Sequence, residues 1–212
     1  MTASTVLLSS GARLVDVQED SQHLDERALV ARAGTDPNAF GELYRNYLPR
    51  IYDFAYRRTG SVEAAEDICA ATFESALRSL DRFRWGSGGF APWLFRIASR
   101  QTISHYRRES RVVSDRGQRA AASLTSGDAP GADELAQLGD FDHERLRTAL
   151  NSLSERYQRV ISLRYLADLD VGDAATAMGM AKPAFSVILT RATAALRREL
   201  DRNAQTNERS RT

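Results

Sequence analysis

Apolar side chains recur along this chain at steps of three and four, and nowhere in a sustained step of two. Phe40, Leu43, Tyr44, Tyr47, Ile51, Phe54 and Ala55 mark one face of a helix. Ala65, Ile68, Phe73, Ala76, Leu77 and Leu80 mark the buried face of a second. Leu146, Leu150 and Leu153 form another stripe, and Val160, Ile161, Leu163 and Leu166 a further one. A half-buried strand would alternate, and no segment does. The pattern therefore predicts an all-α protein. Its punctuation agrees. Asp36 suits an N-cap and Pro37 the first turn after it. Gly60 suits a helix stop, Ser61 the next cap, and Ser154 the cap of the helix that carries Val160. Around Gly179-Met180 two short helices form a helix-turn-helix pattern, from Asp170 to Arg198.

The helical signal comes in two blocks. Residues 1–24 carry no sustained period and read as a mobile N-terminal segment. A first block spans 25–109. Residues 110–140 change character, with Ser114, Gly117, Ser123, Ser126, Gly127, Asp128, Pro130 and Gly131, and read as a flexible linker. A second block, opening near Phe141, spans 141–200, and 201–212 reads as a mobile tail. Two small helical domains fit the 212-residue length.

The net charge is only +1. A nucleic-acid ligand would therefore need basic residues concentrated locally. They are concentrated: Arg96, Arg100, Arg107, Arg108 and Arg111 lie in one stretch, behind a glycine-rich loop, 84–92, that is flanked by Phe83, Trp85 and Phe90. Aromatics interleaved with arginines suit a surface that stacks bases and neutralises phosphates. The Trp85 side chain, beside the loop, is the best platform, whereas Trp93 shares a face with Ile97 and suits the core. The lone Cys69 excludes an internal disulfide and reads as a buried thiol in a reducing, cytoplasmic setting. His23, His105 and His143 make no metal spacing, and no cofactor or metal site is expected. No Ser/His/Asp set or phosphate loop suggests an enzyme. Val6-Leu7-Leu8 lacks the basic lead of a signal peptide, and no apolar run is long enough to span a membrane.

With both modules in place, the chain resembles the sigma-70 family of RNA polymerase initiation subunits, in its two-domain extracytoplasmic-function (ECF) form. Asp36-Pro37-Asn38-Ala39-Phe40-Gly41-Glu42-Leu43-Tyr44, Ala64-Ala65-Glu66-Asp67-Ile68 with Phe73, and Trp93-Leu94-Phe95-Arg96-Ile97-Ala98 resemble successive helices of region 2. Leu150, Leu153, Arg159-Val160, Leu163-Arg164-Tyr165, Ala175, Gly179, Leu189, Arg191-Ala192 and Leu196-Arg197 resemble region 4. Departures are local. Ala70-Ala71 stand where the family usually has Gln-Glu, Arg100 where it has Asn, and Ser104 where it has Asp. Ala174 replaces a branched aliphatic, and the recognition helix opens Pro183-Ala184-Phe185-Ser186-Val187-Ile188.

The resemblance implies that region 2 docks on core RNA polymerase (its beta and beta-prime subunits) through Asp67 and Phe73, although Phe73 suits core packing equally well. It implies that region 2 opens the minus-ten element with Phe83, Arg84, Trp85, Phe90, Arg96, Arg100, Arg107 and Arg108. It implies that region 4 reads the minus-thirty-five element. Phe185, Ile188, Leu189, Ala192 and Leu196 form that helix's inward stripe, which leaves Lys182, Ser186, Val187, Thr190 and Arg191 for DNA. Partners are then core polymerase, promoter DNA and an anti-sigma factor. The competing reading is a sigma-like helix-turn-helix regulator that binds DNA or a partner without initiating transcription. The large Phe185 is expected to fill the space beside the small Ala174.

Overall fold

The computed structural model describes residues 25–86, 88–120 and 134–209, with side chains over 25–86, 88–111 and 143–205. Among these residues every regular element is helical. Helix α1 covers 25–33. It is followed by α2 (Pro37–Thr59), α3 (Val62–Ser79) with a closing 3-10 turn (Leu80–Arg82), α4 (Ala91–Ala120), α5 (Glu134–Ser152), α6 (Glu155–Ile161), a π-helical turn (Ser162–Leu166), α7 (Val171–Met178) and α8 (Lys182–Arg209).

The caps explain the boundaries. The Asp36 carboxylate accepts from the Asn38 N–H at 2.9 Å, and Pro37 takes the first turn, where its missing N–H costs nothing. Gly60 ends α2 in the left-handed region, φ 70°, with its N–H on the Tyr56 carbonyl. Ser61 Oγ then accepts from Ala64 N–H. At Ser154 the expected side-chain cap is absent: its backbone carbonyl instead accepts from Tyr157 and Gln158. After α6 the chain widens into the π turn, where Ala167 N–H reaches Ser162 O, and Asp168 takes a positive φ of 52° to reverse direction. A short polar side chain tolerates that conformation best after glycine.

Several expectations shift. Helix α4 continues to Ala120 instead of ending near Glu109, α5 starts at Glu134 instead of near Phe141, and α8 runs to Arg209. Helical backbone thus enters both ends of the stretch that composition marks as linker, where Arg, Gln and Ala are good helix formers. Leu77, expected inside, is 52% exposed. Leu146 is also exposed, while further along α5 Ala149 and Leu150 are buried, Leu150 in a cluster with Ala192 and Ala195 of α8.

The core is shared by the two blocks. Phe54, Phe90, Leu94 and Phe95 belong to one apolar cluster with Val160, Leu163, Ala174 and Phe185. Helix α4 packs on α6, α7 and the π turn. At this seam Arg58, on the buried stripe of α2, is only 1% exposed. Its Nη2 donates to Asn151 Oδ1 at 2.5 Å and to Gln158 Oε1 at 2.9 Å. Its guanidinium lies 4.4 Å from the Tyr106 ring centre, and the Tyr106 hydroxyl donates to the Arg58 carbonyl. Phe185 and Ala174 are both fully buried in the same cluster, as the size-exchange argument expects.

Candidate polymerase and nucleic-acid interface

The outer face of α3 carries Glu63, Glu66, Asp67 and Ala70, all exposed. Asp67 opens onto a depression of about 250 Å³ shared with Glu63, His105, Tyr106 and Glu109. Phe73 does not join this face. It is 5% exposed and packs against Tyr44 with ring centres 4.6 Å apart, so a direct partner contact expected of it gives way to a core role. Leu77, one turn further on, is exposed instead, on the wall of an open groove of about 390 Å³. Val30 and Ala31 of α1, with Leu80, Phe83 and Trp85, complete its apolar lining, and Arg27, Arg78 and Asp81 supply charge.

The loop from Phe83 to Phe90 forms an aromatic cluster. Phe83 meets Trp85 (5.9 Å), Phe90 (5.5 Å) and Trp93 (5.1 Å) in edge-on or tilted pairs, geometries favoured by the ring quadrupoles. The members differ in exposure. Phe90 is 1% exposed and packs on Tyr47 and Trp93, so it is a core anchor and offers no stacking face. Phe83 and Trp85 remain half-exposed on the groove. Glu26 of α1 ties the loop down, accepting from the Phe90 N–H at 3.3 Å and from the Tyr47 hydroxyl. At Gly88 an added Cβ would run into the Asp173 carboxylate of α7 and the Pro92 ring, so a side chain there would force its neighbours to shift. Arg84 is exposed, but its guanidinium donates to the carbonyls of Asp81 (2.9 Å) and Phe83 (3.0 Å), which holds it on its own turn.

Arg96, Arg100 and Arg107 follow one another at four- and seven-residue steps and line one face of α4. Arg96 is half-buried, and burial with the nearby Arg100 lowers its pKa. Arg107 is ion-paired with Glu155 of α6. Arg108 is exposed. In the helix-turn-helix, the Asp170 carboxylate caps α7 through the N–H groups of Gly172 and Asp173, and Gly179 makes the left-handed turn at φ 66°. The buried stripe Phe185, Ala192, Ala195 fixes the rotation of α8, so Lys182, Ser186, Val187, Thr190 and Arg191 all face outward together, with Val187 51% exposed. The hydroxyls of Ser186 and Thr190 donate to carbonyls of the preceding turn.

Residues 43–112 match the model of sigma-70 region 2, and residues 143–196 that of sigma-70 region 4, together more than half of the chain. The chain belongs to the sigma-70 family. Within it, the protein is similar to the ECF RNA polymerase sigma factor BldN of Streptomyces coelicolor, at 29% identity over 88% of this chain and 69% of the relative. The sigma factor RpoE of Bartonella quintana, solved with the anti-sigma factor NepR, is 26% identical with a TM-score of 0.50 over 76% of this chain and 96% of that one. CnrH, solved with the cytosolic domain of CnrY, shares the fold with a TM-score of 0.57 at 23% identity, over 83% of this chain and 97% of that one. The protein is therefore an RNA polymerase sigma factor of the ECF type.

What sequence reasoning missed in this sigma factor is the seam. Arg58 follows Ile51, Phe54 and Ala55 at helical spacing, and an arginine on an apolar stripe is a legible sign of a special burial. Its partners Asn151 and Gln158 and the tether Glu26 carried no such sign.

Proposed function

We propose that this sigma factor directs promoter-specific initiation through a division of labour between its halves. The α3 surface around Asp67 docks on the beta and beta-prime subunits of core polymerase, with Phe73 shaping that helix from inside. The groove beside Leu77 receives an unstacked base of the minus-ten strand on Trp85 and Phe83. Stacking contributes about 1–3 kcal/mol per base, comparable to the few kcal/mol that extrusion costs. Arg96, Arg100, Arg107 and Arg108 neutralise backbone phosphates next to that groove. The outward face of α8, with Lys182, Ser186, Val187, Thr190 and Arg191, enters the major groove of the minus-thirty-five element. The chemistry of RNA synthesis belongs to the polymerase, in the cytoplasm. The observation that carries this reading is the half-exposed Phe83–Trp85 pair on an open groove, followed immediately by the arginine face of α4.

An anti-sigma protein is the further partner of this reading, since the similar RpoE of Bartonella quintana was solved with an anti-sigma factor. The groove beside Leu77 offers it exposed apolar surface. The replacement of Gln-Glu by Ala70-Ala71 favours a second reading, a sigma-like regulator that does not initiate. Run-off transcription on genomic fragments with core polymerase separates them. New discrete starts sharing a two-part upstream element establish initiation. No starts and no co-elution with core polymerase establish the second reading.

A further inference from the structure

The seam between the halves has an uneven charge balance. Helix α6 lies on the arginine face of α4, with Glu155 paired to Arg107. One turn further along α6, Arg159 points the same way as Glu155. There burial, and after it the nearby charges of Arg100 and Arg96, lowers its pKa. Glu155 acts on Arg159 with the opposite sign, and it already serves Arg107. Among the described residues Arg96, Arg100 and Arg159 make no ion pair, and the buried Nε atoms of Arg96 and Arg159 have no hydrogen-bond acceptor. Packed helices do not ordinarily bring like charges together and leave buried donors empty. Arg58, by contrast, has two side-chain acceptors across the seam on its Nη2, although its buried Nη1 also lacks an acceptor.

We propose that Arg96, Arg100 and Arg159 form an oxyanion site spanning both halves, which takes an oligophosphate group and holds the halves together. Guanidinium forks match phosphate oxygens in pairs. Three unneutralised cations call for an anion of charge about three, more than a single carboxylate carries. The ligand chemistry is shared by a free oligophosphate and by successive phosphates of a DNA strand. Arg96 and Arg100 also serve the promoter reading, so the proposal rests on that reading in part; Arg159 belongs to this site alone, and its substitution separates the two.

The test is calorimetric titration of the full chain with inorganic tripolyphosphate and, separately, with duplex DNA. Wild type is expected to bind tripolyphosphate saturably at one site. Arg159→Gln, which keeps most of the stem, is expected to weaken binding about tenfold or more, and Glu155→Gln to tighten it. Arg57→Gln and Asp53→Asn carry the same charge changes on an exposed α2 ion pair and should leave binding within about twofold. Loss of tripolyphosphate binding in Arg159→Gln with DNA binding retained assigns a free oligophosphate. Loss of both supports the site with the DNA strand as its phosphate source. Equal effects of Arg159→Gln and Arg57→Gln, or no saturable binding by wild type, overturn the proposal. Glu155→Gln is exposed and keeps the test decisive should Arg159→Gln fold poorly: weaker or unchanged binding there also overturns it.

Discussion

Arg58 and Gln158, 100 residues apart in sequence, should be energetically coupled. Arg58 is a cation out of water with no carboxylate beside it; burial lowers its pKa, and its partners are two amide oxygens and the Tyr106 ring. A hydrogen bond from a charged donor contributes about 1.5–3 kcal/mol, and a desolvated cation–π contact about 2 kcal/mol. Desolvating the guanidinium costs several kcal/mol. The net worth of Arg58 is therefore modest, while its coupling to Gln158 is not. Gln158 also donates to the carbonyls of Asn151 and Leu153, so its single substitution conflates two roles. A double-mutant cycle with Arg58→Met and Gln158→Met subtracts the second role. Followed by urea unfolding, it should return a coupling of about 1.5–3 kcal/mol. A coupling below about 0.5 kcal/mol, the ordinary additivity error, would refute the reasoning, because the halves would then not meet at this residue in solution.

Phe185→Val should lower stability by about 2–3 kcal/mol, as a large buried ring is lost beside Ala174, and calorimetry should show a fall in Tm; an unchanged Tm removes the size-exchange argument. Replacing Arg107 and Arg108 together by Ala should weaken promoter binding on many sequences and flatten its salt dependence, seen by fluorescence anisotropy across a salt series. Trp85→Ala should impair promoter opening more than closed binding, measured by permanganate footprinting against filter binding. Burial pushes the Cys69 thiol up to about 11, so the thiolate is scarce at pH 8, and a disulfide reagent should titrate it only on unfolding.

The helices were legible because their signals are local. Asp36-Pro37, Gly60-Ser61 and Gly179 each act within a turn of their own position, and the structure uses them in the expected roles. Leu77 shows where locality fails. Phe73 and Leu77 lie four apart on α3, and periodicity treats them alike. What separates them is the path of α1 and the glycine loop, which leave Leu77 on a groove while Tyr44 covers Phe73. The same holds for Phe83, Trp85 and Phe90. Their spacing marks an aromatic loop, but only the Glu26 tether and the packing of Tyr47 decide that Phe90 turns inward.

The seam was illegible for a deeper reason: its two faces are separated by the stretch whose composition looks least structured, and each face makes sense alone. An arginine stripe on α4 reads as a phosphate grip, and Arg159 on α6 reads as an ordinary polar position. Only their juxtaposition is informative. It also links packing to the proposed function, because Arg107 cannot hold Glu155 and a backbone phosphate fully at once. An exposed pair of this kind stabilises by no more than about 1 kcal/mol, so a phosphate can displace Glu155 at little cost. Without a bound anion, the energy that holds the halves closed must then come from the apolar cluster and from Arg58. Under the proposed function, a phosphate on Arg107 releases Glu155, whereas one seated between Arg96, Arg100 and Arg159 supplies in its place the negative charge that offsets the repulsion among them, so where the phosphate sits on α4 decides whether it loosens or ties the seam.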